Sequence, residues 1–155
     1  MTPARTTDVR TRDLADGAVQ HRWVQLDHAD HPQALAREQV RHALAGRTTP
    51  SRIDNAVSVV SELVANAMEH TDAGPTRMTL DVYEDIVLMW VHDTARDTGS
   101  VQPRGVLADD PDDIPENGRG LVLVELLAAK WFVWPTAEGK AVVAAVNLSP
   151  GGAKW

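Results

Sequence analysis

Val59-Val60-Ser61-Glu62-Leu63-Val64-Ala65-Asn66-Ala67-Met68-Glu69-His70-Thr71 is the stretch that organises the reading of this chain. Across and just before it, Ile53, Ala56, Val57, Val60, Leu63, Val64, Ala67 and Met68 recur at three- and four-residue spacing. That spacing marks an amphipathic helix with one buried stripe. The helix is expected from about Arg52 to Glu69, capped by Thr49 or Ser51 and ended by Asp72-Ala73-Gly74-Pro75. Glu62 and Asn66 stand one turn apart and share a face, with Glu69 and His70 close to it. A carboxylate and a carboxamide projecting together suit the orientation of a nucleophile and the holding of a hard cation through oxygen. Taken alone, the same face also reads as an ordinary solvated surface, the default for amphipathic helices.

Working outward toward the N-terminus, Pro32 to Ala45 reads as a second helix, with Leu35, Ala36, Val40, Ala43 and Leu44 apolar and Gly46 past its end. Ala18 to Leu26 alternates loosely and reads as an edge strand. Between them, Asp27-His28-Ala29-Asp30-His31-Pro32 crowds two Asp and two His together. No further ligand set follows from that spacing. The segment reads instead as a helix start, with Asp30 or His31 as cap and Pro32 in the first turn.

Toward the C-terminus, Arg77 to Tyr83 alternates as a strand and Glu84-Asp85 makes a turn. Ile86 to Val91 is a continuous apolar run, so it reads as a central strand. Thr94 to Gly118 is a long irregular loop, rich in Pro and Gly, with acidic residues at 109, 110, 112, 113 and 116. Loops of this length within a domain are usually functional or disordered. Gly120 to Lys130 reads as a mostly buried helix, Trp131 to Trp134 as a strand, Glu138-Gly139 as a turn and Lys140 to Leu148 as the last strand. Residues 1–17 and 149–155 read as tails flanking one domain, 18–148. Sequential hairpin strands argue for an α+β two-layer sandwich, a mixed and mostly antiparallel sheet with helices on one face. The absence of strict βαβ alternation disfavours a Rossmann fold.

Composition narrows the function. Of 155 residues, 43% are hydrophobic, which supports a packed core. Lys and Arg number 15 against 22 Asp and Glu, a formal net charge of -7. Such a chain is poorly suited to direct nucleic-acid binding or to an anionic membrane. With no cysteine there is no disulfide, thiolate zinc site or cysteine nucleophile. The polar N-terminal residues lack a signal-peptide core, and the expectation is a cytoplasmic protein.

Two further elements carry chemistry. Asp93 follows the apolar strand, where a carboxylate can accept from a ligand amino group or simply start a turn. Glu116-Asn117-Gly118-Arg119-Gly120-Leu121 opens a helix, where glycines let backbone N–H groups approach an anion. An ordinary glycine-rich loop reads the same way.

Together these elements resemble a known family. Glu62-x-x-x-Asn66-x-x-x-His70 is similar to the N box of the GHKL ATPases, which include gyrase B, MutL and the sensor histidine kinases. Ser61-Glu62-Leu63-Val64-x-Asn66-Ala67-x-x-His70 most resembles the RsbW/SpoIIAB-type anti-sigma factors and their short actinobacterial relatives. Asp93 falls at the G1 box, Gly118-Arg119-Gly120-Leu121 at the G2 box, and Gly139-Lys140 at the start of the closing strand. The resemblance covers about residues 20 to 148. It implies the Bergerat α/β sandwich, with ATP between the central helix and a lid at 94–118. It implies Glu62 as general base and Asn66 as the Mg²⁺ ligand. Glu69, His70, Asp93, Ala95, Gly118, Arg119, Gly120, Leu121 and Lys140 would contribute to the ATP site. Of these, Asp93 would receive the adenine amino group, and Gly118, Gly120 and Leu121 would offer backbone contacts to phosphate. The implied activity is serine/threonine phosphorylation of a small anti-sigma-factor antagonist, competing with binding of a sigma factor, with a homodimer plausible. Such transfer needs chiefly positioning, charge neutralisation and a base.

The chain departs from that pattern at Asp93-Thr94-Ala95, where the family has Asp-x-Gly, and at Gly139-Lys140-Ala141, where it has Gly-Lys-Thr. Asp109 to Asp113 make the lid acidic, with only Arg96 and Arg104 as cations across 94–118. These departures motivate an alternative: a regulatory interaction module that holds nucleotide weakly or not at all. A detached histidine-kinase catalytic domain finds less support, because no phosphoacceptor helix pair is recognisable.

Overall fold

Two alternating segments and three nearly continuous apolar runs are the five strands of one sheet in the computed structural model, which describes residues 17–96 and 116–150 (for 116–120 the backbone alone). The order is β1 (Gln20–Gln25), α1 (Pro32–Leu44), α2 (Pro50–His70), β2 (Arg77–Val82), β3 (Ile86–Asp93), α3 (Glu116–Leu127), β4 (Lys130–Pro135) and β5 (Lys140–Asn147). The strands lie in the order β1-β2-β3-β5-β4. Every pairing is antiparallel, the limiting case of the expected mostly antiparallel sheet. The last strand in the chain is therefore interior, between β3 and β4.

The alternation also sorts the two faces. Met78, Leu80, Val82, Val87, Met89, Val91, Val142, Ala144 and Val146 join Val40, Val60, Leu63, Val64 and Val124 in the main core. These sheet residues all point to the helix layer, and the buried stripe of α2 is what they meet. The opposite face carries Ile86, Leu88, Trp90, Ala141, Val143 and Ala145, with Tyr83, Phe132 and Trp134 packed against them. Trp90 and Phe132 meet edge-on at 6.5 Å. On that same face, Arg77 Nε, Asp81 Oδ2, Trp90 Nε1 and Asn147 Oδ1 are buried with no hydrogen-bond partner among the described residues. The architecture is the α+β sandwich expected from the pattern.

Boundaries moved in two places. β3 continues through His92 and Asp93, because His92 accepts from Thr76 N (2.8 Å) and Asp93 pairs with Lys140. α3 runs from Glu116 to Leu127, not from Gly120 to Lys130, so the glycine-rich segment forms its first turns and Lys130 opens β4. Of the described side chains of α3 only Leu121 and Val124 are buried, and Leu126 is exposed. Gly118 and Gly120 are poor helix formers, which is why the pattern alone delays the start. The tail expected over 1–17 lies outside the described residues except for Gly17. The tail at 149–155 does so beyond Pro150, and the lid does so over 97–115, including Arg104 and the acidic run. Among the described residues, no helix is long and apolar enough to cross a membrane.

Candidate functional site

The direction of each helix decides what can meet. Just before α2, Thr48 Oγ1 donates to Leu148 O (2.6 Å), and in its first turn Arg52 Nη1 donates to Asn147 O (3.4 Å). α2 thus starts at the C-terminal end of β5. Its 21 residues span about 32 Å at 1.5 Å per residue. Its far end leads through Thr76 to His92 and so lies at the end of the sheet that holds Asp93 and Lys140. α3 runs the same way in reverse. Its C-terminus is fixed where Ala129 N donates to Ala145 O (2.8 Å), so Glu116 lies toward the Asp93 end. One end of the sandwich therefore collects the last turns of α2, the end of β3, the start of β5 and the N-terminus of α3.

At that end Asp93 and Lys140 stand directly opposite each other in the β3–β5 register. Lys140 Nζ donates to Asp93 Oδ1 at 2.9 Å, and both side chains are 1% exposed. The Ala95 backbone N–H donates to the same oxygen, also at 2.9 Å. Gly139 is what allows this approach. A Cβ there would lie 2.2 Å from Asp93 O and 2.6 Å from Thr94 Cα, so only glycine lets the two backbones come so close.

The expected site residues distribute unevenly around this centre. Asn66 is buried on α2, Glu62 is partly buried one turn before it, and Glu69 and His70 are exposed in the last turn. Ser61, beside Glu62, is tied to α1: its Oγ accepts from Arg37 Nη1 (3.1 Å) and its carbonyl from Gln33 Nε2 (3.1 Å). These bonds fix the rotation of α2 about its axis. Leu121 puts its side chain into the main core. Gly118, Arg119 and Gly120 lie in the opening turns of α3; the side chain of Arg119 is outside the described residues.

Residues 26–146 match the family model of the histidine kinase-like ATPase domain. The chain belongs to this family. No curated protein matches it. The fold above is the histidine kinase-like ATPase fold, and the family implies an ATP site, generally with Mg²⁺. The residues of this domain fit such a ligand. The first backbone N–H groups of α3 have no acceptor within the helix, and a helix N-terminus favours phosphate. Asp93 supplies a buried acceptor at the same end. Asn66 offers a carboxamide oxygen there. Among the described residues no cluster of three or more His, Asp or Glu could hold a metal alone. An Mg²⁺ here would draw most ligands from phosphate and water, its usual preference.

Sequence reasoning on this histidine kinase-like domain singled out both Asp93 and Lys140 without pairing them. The signal was a lone lysine opening a strand of otherwise apolar residues up to Asn147. It also passed over a second buried carboxylate, Asp81, which bonds His21 Nδ1 across β1 and β2. Elsewhere on the outer face, opposite Arg77, His92 stacks on Trp90 with centroids 6.5 Å apart. Burial, with the Arg77 guanidinium adding to it, pushes His92 down to about 3.

Proposed function

We propose that this domain binds ATP with Mg²⁺ and phosphorylates a serine or threonine of a small anti-sigma-factor antagonist, and that it holds a sigma factor by turns. The observation that supports this most is the gathering of the Glu62–Asn66 helix end, Asp93 and the N-terminus of α3 at one end of the sandwich. Glu62 takes the proton of the attacking hydroxyl as its oxygen bonds to the γ-phosphorus. The bond from that phosphorus to the β–γ bridging oxygen breaks, and ADP leaves with the electron pair. Asn66 would hold the Mg²⁺, which would neutralise phosphate charge, and Asp93 would receive the adenine amino group. Calorimetric titration of ATP and ADP with and without Mg²⁺ tests the reading. Expected is Mg²⁺-dependent binding that Asn66→Ala removes, with Glu62→Ala keeping nucleotide but losing phosphorylation. A Glu62→Ala domain that phosphorylates the antagonist at the wild-type rate would overturn the assignment of the base.

A second reading is favoured by Ala95, which replaces a glycine of the family pattern beside Asp93; Ala141, which replaces a hydroxyl of that pattern, faces the other side of the sheet. On this reading the domain is a regulatory interaction module without catalysis. No binding at millimolar nucleotide, with partner binding unchanged in Asn66→Ala, would decide for it.

A further inference from the structure

We propose that Lys140 is a base-reading residue, its ammonium donating to N1 of the adenine ring while Asp93 accepts from the exocyclic amine. The inference rests on the nucleotide site proposed above and names an atom-level role within it. Three observations carry it. Lys140 is fully buried, yet its ammonium has three donors and one acceptor, Asp93 Oδ1, among the described residues. Both bonds to the Asp93 carboxylate among the described residues, from Lys140 and from Ala95 N, end on that same Oδ1. And Lys140 shares the helix-facing side of the sheet with Asp93, whereas the next residue, Ala141, points to the opposite face with Trp90 and Val143.

Asp93 Oδ2, the oxygen that neither of these bonds uses, stands beside an ammonium that donates to Oδ1 at 2.9 Å, and a neighbouring acceptor and donor complement the adenine edge, which presents an amino donor beside the N1 acceptor. Thymine meets adenine with the same order of groups. A lone carboxylate would suit guanine better, because adjacent N1–H and N2–H donors can take both its oxygens. Lys140 and Ala95 already occupy one of them. Lys140 also faces the guanine N1–H with a donor of its own, and an unmatched polar group in a buried site is strongly disfavoured. The pair thus selects adenine.

The test compares ADP with 1-deaza-ADP, in which N1 is replaced by C–H, by calorimetric titration of the full chain. Wild type should bind 1-deaza-ADP about tenfold more weakly, the effect of one lost hydrogen bond to a charged donor. Lys140→Met should bind ADP about tenfold more weakly than wild type and make no distinction between the two ligands. Because that variant leaves a buried carboxylate alone and could fail to fold, the Lys140 ¹⁵Nζ–¹H resonance of wild type gives an independent reading. It should shift with ADP and stay in place with 1-deaza-ADP. Equal wild-type affinity for the two ligands, or a tenfold preference that survives in Lys140→Met, overturns the role of Lys140 while leaving the site intact. Wild type that binds neither ligand overturns the nucleotide site itself.

Discussion

Asp81 and Asp93 are both almost fully buried aspartates in neighbouring strands, and they are treated in opposite ways. Asp93 points to the helix side, faces a lysine as buried as itself and accepts a backbone N–H as well. Asp81 points to the outer face, where its partner His21 is more than half exposed and its Oδ2 has no partner among the described residues. A buried ion pair is weak as a source of stability, because desolvation offsets much of the attraction. Its presence at the end where α2 and α3 converge therefore points to use. The partner of Asp81 is itself more than half in solvent, so water can take its place when it is removed and less depends on it.

The sharpest way to break this contrast is to remove each partner in turn. Lys140→Met should cost about 3–5 kcal/mol, the usual result of stranding one buried charge. Urea unfolding reads it directly, and adding Asp93→Asn should recover most of the loss. Next in size is Gly139→Ala, whose Cβ meets backbone that cannot give way. It should cost about 2–3 kcal/mol through overpacking. It should also weaken ADP binding by displacing Lys140, which a destabilisation elsewhere in the fold would not do.

The outer face carries its own signature, a histidine that stays neutral in the folded protein. The folded value for His92 is about 3, against about 6.5 for an unperturbed histidine. The unfolded chain therefore binds more protons between these values. Stability is complete above about pH 6.5 and falls as pH drops toward 3, with a slope of at most about 1.4 kcal/mol per pH unit. Unfolding free energies from denaturant titrations at pH 7 and pH 4.5 should differ by about 2.5 kcal/mol, and His92→Gln should lose most of that difference. Smallest is His21→Ala, expected at about 1 kcal/mol because water can replace the exposed imidazole. If His21→Ala proved as costly as Lys140→Met, the distinction between the two aspartates would collapse.

Much of this was legible in the sequence, for reasons that are local. The three- and four-residue recurrence that begins at Ile53 fixes α2 and its buried stripe as far as Ala67, while Met68, counted in the stripe, is exposed in the last turn. The two-residue alternation of Met78, Leu80 and Val82 fixes both the strand and the face that meets the helices. The continuous run from Ile86 marks a strand covered on both sides, and the structure buries it on both. Glu62, Asn66 and Asp93 were also visible, since polar residues at set distances from apolar runs stand out. The start of α3 was less legible, because helix-breaking glycines at 118 and 120 outweighed the pattern.

By itself, then, the sequence determined the elements, their inward faces and the family to which the chain belongs, because periodicity and motif spacing are properties of neighbouring residues. Only the tertiary structure decided that β5 lies between β3 and β4, and so that Lys140 faces Asp93 across 47 positions of sequence. It alone decided that α2 and α3 direct opposite termini to the same end. Strand order and helix direction are set by how the apolar faces close over one another, and no local pattern encodes the partner on the far side of that closure.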